Sequence, residues 1–215
     1  AQDVATLARE LMVRYGDQIT QFSTIWMDTL RGGETELVNT NRLIRFYPGA
    51  TGLKTGTTDA AGHCLCATAT RDGMSLIAVI MGCQTSDARF EETKQLLDFG
   101  FAGFTLVCPQ QEDVQAQLTP IPVTRGTQTQ VQPQVDALPK AVVRKDEAEQ
   151  REVQGQPAEQ LEAPIQQGDS VGSVRLVLEG ETLAEEPLCA GQTVERMTYL
   201  RGVQALLRGL VKMCG

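Results

Sequence analysis

The chain has 215 residues, with 19 basic and 27 acidic side chains and a net charge of −8. It is 41% hydrophobic and 21% charged, the composition of an ordinary globular chain long enough for one large or two small domains, which excludes wholesale disorder. No run of about 18 apolar residues occurs, so no helix is expected to span a bilayer, and the acidity argues against nucleic acid as the main partner. The charge is uneven. Residues 1–108 hold 9 basic and 12 acidic residues, residues 109–195 hold 6 and 15, and residues 196–215 hold Arg196, Arg201, Arg208 and Lys212 with no acid. Such asymmetry marks parts with different surroundings, the last one suited to an anionic lipid surface.

The sequence opens at Ala1-Gln2-Asp3 without Met or a signal-like apolar stretch. Either a leader has been removed or the chain is a piece of something longer. Residues 3–15 place Val4, Leu7, Leu11 and Met12 at helical spacing, with Asp3 as a plausible N-cap. Residues 24–28 are expected to form a short strand, Gly32-Gly33 a hairpin-type turn, and residues 39–49 a polar, turn-rich stretch. Three strands follow, at 51–57, 63–70 and 74–82. The last is nearly all apolar and therefore central in a sheet, and it is joined to its predecessor by the tight turn Arg71-Asp72-Gly73. Residues 86–104 predict a helix capped by Ser86 or Asp87, with Phe90, Thr93, Leu96, Leu97 and Phe101 as its buried stripe.

After Pro109 the composition shifts to alternating Gln, Thr, Val and Pro, which suggests an all-β module. Residues 146–160 are polar and expected to be a mobile loop, and residues 170–188 a hairpin turning at Glu179-Gly180. On a helical wheel, residues 196–213 put Tyr199, Leu200, Val203, Leu206, Leu207, Leu210 and Val211 on one side and Arg201, Gln204, Arg208 and Lys212 on the other. A basic amphipathic helix of this kind suits a membrane interface; packing on its own domain or in an oligomer is the alternative.

Six cysteines and one histidine do not make a metal set. Cys64 and Cys66 are spaced C-x-C with no second pair, so no metal and no cofactor is expected, and both cysteines read as small buried hydrophobes. His63 is expected to have a packing or surface role.

The triplet that carries chemistry is Lys54-Thr55-Gly56, placed on a strand. Lys-Thr-Gly on a strand is one signature of penicillin-binding proteins and serine β-lactamases. A strand edge offers backbone groups to an extended peptide, Gly56 permits close approach, Lys54 supplies positive potential, and Thr55 offers a hydroxyl. With NTNRLI at 39–44, YPGATGLKTGTTDAAGHCLCATATRDG at 47–73 and LIAVIMG at 76–82, the chain resembles the D-alanyl-D-alanine carboxypeptidases, the low-molecular-mass penicillin-binding proteins.

That resemblance implies an α+β fold. Residues 1–107 would be the C-terminal part of a transpeptidase-like catalytic domain, 108–195 a β-sandwich, and 196–215 an amphipathic membrane anchor. It also implies a serine enzyme that removes the terminal D-alanine of peptidoglycan stem peptides through an acyl-enzyme and is trapped by β-lactams. The protein would sit outside the cytoplasm, on the outer face of the cytoplasmic membrane. Lys54, Thr55 and Gly56 match the family's third motif, Thr57 lines the cleft, and Arg89 matches an arginine that holds the substrate's terminal carboxylate.

Two family motifs are missing. None of Ser23, Ser75, Ser86, Ser170 and Ser173 has Lys three residues on or Asn two residues on. The nucleophile and its base would lie upstream, so the chain alone is expected to be inactive, and its first domain is expected to expose apolar surface. The competing function class is a non-catalytic binding or scaffolding module at the membrane surface, built from the β-domain and the basic helix.

Overall fold

A computed structural model describes residues 1–199. The chain divides into two compact units, Ala1–Leu106 and the residues from Val107 onward. The architecture is α+β: helices and an antiparallel sheet in the first unit, strands almost throughout in the second.

The first unit begins with helix α1, Gln2–Ser23, longer than the 3–15 periodicity predicts. Its apolar rhythm fades at Gly16, and Tyr15 carries non-helical angles, φ −134° and ψ 18°, so the helix bends there and continues. Strands β1, Met27–Leu30, and β2, Thr35–Val38, form a two-stranded ribbon through the Gly32-Gly33 turn. The polar stretch that follows contains one helical turn, α2, Leu43–Phe46.

Three strands then form an antiparallel sheet in the order β3 (Ala50–Thr58), β4 (Gly62–Arg71), β5 (Met74–Cys83). The apolar runs and the short Asp72-Gly73 turn dictate this arrangement, and both turn residues adopt positive φ. Helix α3, Ser86–Gly103, covers one face. Thr85 caps it, its Oγ1 accepting from the Ala88 N–H at 3.1 Å, one residue ahead of the expected cap. Leu43, Tyr47, Leu65, Ala67, Ala69, Ala78, Phe90 and Leu97 make the shared core. Gly100 sets the helix-to-sheet distance: a Cβ there would meet Leu76 Cδ1 at 2.5 Å.

The buried stripe of α3 differs from the expected one. Phe90, Thr93 and Leu97 are buried and Phe101 is half-buried, but Leu96 is 47% exposed, and Arg89 is buried in its place at 6%. The sheet edge under the first turn of α3 presents backbone carbonyls, and a guanidinium meets them where leucine cannot. Cys66 is buried as expected, whereas Cys64 is only half-buried.

The other face of the sheet is less covered. Helix α1 buries only Ala8, while Leu7, Val13 and Phe22 are each at least 70% exposed. A groove of about 850 Å³ runs between α1 and the sheet, walled by Met12, Val13, Leu76 and Ile77 and by the hydroxyls of Thr51, Thr68, Thr70 and Ser75.

Strand β6, Phe104–Val107, reaches the unit boundary. The second unit has helix α4, Gln111–Gln117, then β7 (Ile121–Thr124), β8 (Gln130–Val131), β9 (Pro133–Val135), β10 (Ala141–Arg144), β11 (Arg151–Pro157), β12 (Leu161–Glu162), β13 (Ser170–Leu178) and β14 (Glu181–Ala190). A four-stranded sheet in the order β11-β13-β14-β9 and a three-stranded sheet in the order β12-β7-β8 share a core of Ile121, Val123, Val131, Val171, Val174, Leu188 and Val194.

Two expectations are corrected here. Residues 151–157 are not a loop but an ordered edge strand, β11, paired along its length with β13. Its Gln and Gly content hides a half-buried Val153, and its Pro157 sits at the strand's end, where a missing N–H is tolerated. The terminal helix does not begin at 196: Arg196 bridges Gly126, and the Met197 N–H donates to the Arg125 carbonyl at 2.7 Å. The remainder of that expected helix, from residue 200, lies outside the described residues.

Two stability measurements follow. Leu97→Ala should cost about 2–5 kcal/mol in chemical denaturation and Leu96→Ala less than about 0.5 kcal/mol, because only the first leaves a cavity. Tyr47 donates its hydroxyl to Asp98 Oδ1 at 2.7 Å, and burial together with that carboxylate pushes its pKa up to about 12. A proton held more tightly in the folded state stabilises fully below the unfolded value of about 10. That stability is lost as pH rises toward about 12, an effect on the order of 2 kcal/mol. Alkaline denaturation of Tyr47→Phe should lack this component.

Candidate functional site

Lys54, Thr55, Gly56 and Thr57 lie on β3, an edge strand of the three-stranded sheet. Period-two alternation splits them between the two faces. Lys54 is paired with Cys66 and Gly56 with Cys64, while Thr55 is paired with Leu65 and Thr57 with His63. Lys54, Gly56 and Thr57 are exposed and Thr55 is half-buried. The Lys54 ammonium donates to the Thr55 carbonyl, folded back along its own strand.

A Cβ built at Gly56 meets nothing within 4 Å. Among the described residues nothing demands glycine at this position, and its lack of a side chain leaves the strand open to close approach there.

Arg89 reaches this strand from the first turn of α3. Its Nη1 donates to the Gly56 carbonyl at 3.4 Å, to Thr57 Oγ1 at 3.4 Å and to the Cys64 carbonyl at 3.3 Å, and its Nη2 donates to Ser86 Oγ at 3.1 Å. Its Nε is buried with no partner among the described residues. Burial, and then the like charge of Arg42, lowers the pKa of this guanidinium from its ordinary value. It nevertheless stays charged at any pH the protein meets. The structure thus brings all five sequence-derived site residues together, four on one strand and the fifth tied to that strand by hydrogen bonds.

A second group of residues escaped the sequence reading. Asn39 donates to the Ser23 carbonyl at 3.1 Å and the Ile25 carbonyl at 2.9 Å, closing the end of α1. Buried Asn41 donates to the Gly52 carbonyl at 2.8 Å and accepts from the Leu43 N–H. Between them, Thr40 Oγ1 lies 2.7 Å from Thr55 Oγ1. The N-T-N run is therefore a clamp that fixes β3 and touches the Lys-Thr-Gly threonine. The signal was two asparagines flanking a threonine, since asparagine serves turns and caps through its own amide. Arg42 is held by Asp87, and both Arg42 and Arg89 lie over the Phe90 ring, at 4.6 and 4.7 Å. His63, expected to pack or face solvent, has its Nδ1 3.2 Å from Thr57 Oγ1.

The thiols are free at all five cysteines described. Burial pushes the Cys66 thiol up, and burial with neighbouring Glu92 does the same to Cys83, so neither is an activated nucleophile. Among the described residues no three His, Cys, Asp or Glu side chains converge to hold a metal ion. Chemically, the site can bind an extended peptide along β3 and an anion beside Arg89, and it can present hydroxyls and an ammonium to a reacting carbonyl.

Comparison with known proteins places this geometry. Residues 1–85 match the sequence model of the D-alanyl-D-alanine carboxypeptidases, and residues 110–196 match that of the penicillin-binding protein 5 C-terminal domain. The chain is 33% identical over 205 residues to D-alanyl-D-alanine carboxypeptidase DacF of Bacillus subtilis, covering 93% of this chain and 51% of that protein. It is 32% identical over 145 residues to DacC of Escherichia coli, covering 67% and 36%. Among solved structures it superposes on penicillin binding protein 5 from Haemophilus influenzae with a TM-score of 0.68 and 25% identity, covering 86% of this chain and 54% of that one. On a peptidoglycan synthesis regulatory factor (PBP3) from Streptococcus pneumoniae the TM-score is 0.69 with 27% identity, covering 90% and 56%. The chain spans about half the length, or less, of these curated relatives. An edge strand bearing Lys54-Thr55-Gly56, an arginine braced against it and a β-domain that follows in the sequence agree with matches along most of the chain: it belongs to the D-alanyl-D-alanine carboxypeptidase family.

Proposed function

We propose that this chain is the substrate-recognising, C-terminal portion of a serine-type carboxypeptidase that removes the terminal D-alanine from peptidoglycan stem peptides. The observation that carries the reading is Arg89, braced on β3 beside the exposed Lys-Thr-Gly edge. A stem peptide would add to β3 as an extra strand, its backbone passing over Gly56. Its terminal carboxylate would meet the guanidinium side of the site, with Thr55 and Thr57 as hydroxyl donors. The Lys54 ammonium would stabilise charge that develops at the scissile carbonyl. A β-lactam, which also carries a carboxylate beside a strained acyl group, would occupy the same place.

The covalent step needs a serine and its base, and no Ser-x-x-Lys occurs in the 215 residues. Serine chemistry therefore requires a further segment. The exposed apolar side chains of α1, the groove beside it and the open edge of β5 are the surfaces such a segment would cover. The working protein would stand outside the cytoplasm. Residues 196–213 would supply the attraction to the outer face of the cytoplasmic membrane through their four basic residues.

Two measurements check this. Incubated with a fluorescent penicillin, the purified 215-residue chain should remain unlabelled; stoichiometric covalent labelling would sink the idea that the nucleophile lies elsewhere. In a catalytically complete protein containing this chain, Arg89→Gln should lower kcat/KM for an acyl-D-Ala-D-Ala peptide by about 10–100-fold, the worth of a charged hydrogen bond to a carboxylate. An unchanged kcat/KM would remove Arg89 from the substrate site.

A further inference from the structure

The structure connects His63 to the site through Thr57. Thr57 Oγ1 has two close neighbours: Arg89 Nη1 at 3.4 Å, which can only donate, and His63 Nδ1 at 3.2 Å, which donates or accepts according to its protonation. A hydroxyl has one proton and two lone pairs. With His63 neutral and its proton on Nε2, the Thr57 hydroxyl donates to Nδ1 and accepts from Arg89, so its proton is spent inside the molecule. With His63 protonated, Nδ1 becomes a donor as well. The Thr57 oxygen then accepts from both sides, and its proton turns to the exposed side of β3.

We propose that His63 is a positioning residue for carboxylate recognition. By setting the direction of the Thr57 hydroxyl beside Arg89, it strengthens binding of a peptide's terminal carboxylate when its own ring is protonated. This rests on the reading of Arg89 as the carboxylate anchor.

Groups from three elements and a turn surround His63. On β3 it faces Thr57, and across the ladder on β5 it is paired with Cys83. The Cys83 thiol is buried and donates to Glu92 on α3 at 3.6 Å; burial and that carboxylate push its titration upward, away from neutrality. On α3 stand Arg89 and Glu92, whose charges oppose each other, and Asp59 lies in the turn before β4. Imidazole is the side-chain type whose charge ordinarily changes between about pH 5.5 and 8.

The chain itself tests the proposal. His63 is its single histidine, so the ring signals are unambiguous in NMR spectra. N-acetyl-D-alanyl-D-alanine is titrated into the 215-residue chain at about pH 5.5 and about pH 8, on either side of the ordinary imidazole transition. The affinity should be about tenfold higher at the lower pH, the worth of one hydrogen bond gained beside a positive charge. Thr57→Ser should keep that dependence, while Thr57→Val and His63→Phe should bind equally at both pH values. Spectral dispersion reports whether each variant is folded. Should His63→Phe not fold, the wild-type, Thr57→Ser and Thr57→Val arms decide alone. Equal wild-type affinity at the two pH values, or a dependence that survives Thr57→Val, overturns the proposal while leaving the carboxylate site standing. Absence of binding at either pH overturns the reading of the site and this proposal with it.

Discussion

The guanidinium of Arg89 is the interaction on which the first unit's geometry depends. It comes from a helix, it is buried, and its donors terminate on two strands and on the first turn of its own helix. Burying a permanent charge is costly unless its donors are satisfied. Here the Gly56 and Cys64 carbonyls and the Ser86 hydroxyl take up Nη1 and Nη2, though not Nε, and in doing so they fix the end of β3 against β4 and α3. On the proposed function, the residue that would offer an anion its charge is thus also the residue that holds the strand edge in place. Positioning and recognition cannot be varied independently at this point.

The clamp at residues 39–41 completes the arrangement from the other end of β3. Asn41 holds the Gly52 carbonyl, Asn39 holds the end of α1, and Thr40 touches Thr55. An edge strand has one free side and is therefore the most mobile strand of a sheet. Side-chain amides at one end and a buried guanidinium at the other restrain it through the Gly52 and Gly56 carbonyls. A Cβ at Gly56 would meet no described atom within 4 Å, so the face of β3 is open there.

Much of this was legible in the residue order, for identifiable reasons. The strands were visible because β4 and the nearly apolar β5 are joined by a short Gly-containing turn, and α3 because its apolar residues recur at helical spacing. Family resemblance singled out Arg89, but nothing in the residue order foretold its burial. A helical wheel ranks leucine above arginine for the buried face, so Leu96 took a place in the stripe that the structure gives to Arg89. Strand β11 was hidden by its Gln, Gly and Pro content, since an edge strand with one half-buried Val153 has little apolar pattern to display. The roles of Asn39, Thr40 and Asn41 depend on contacts with residues 11 to 16 positions away, which no local pattern encodes.

Arg42 and Arg89 lie over the same Phe90 ring yet occupy different electrical surroundings. Arg42 is exposed and its partner Asp87 is 86% accessible, so mobile ions reach that pair freely. Arg89 is buried, and the carbonyls of Gly56 and Cys64 hold it rather than an exposed ion pair. Rising ionic strength therefore loosens the tether between the 39–47 loop and α3 while leaving the inner guanidinium in place. The two walls of one small region respond differently to the salt of the medium.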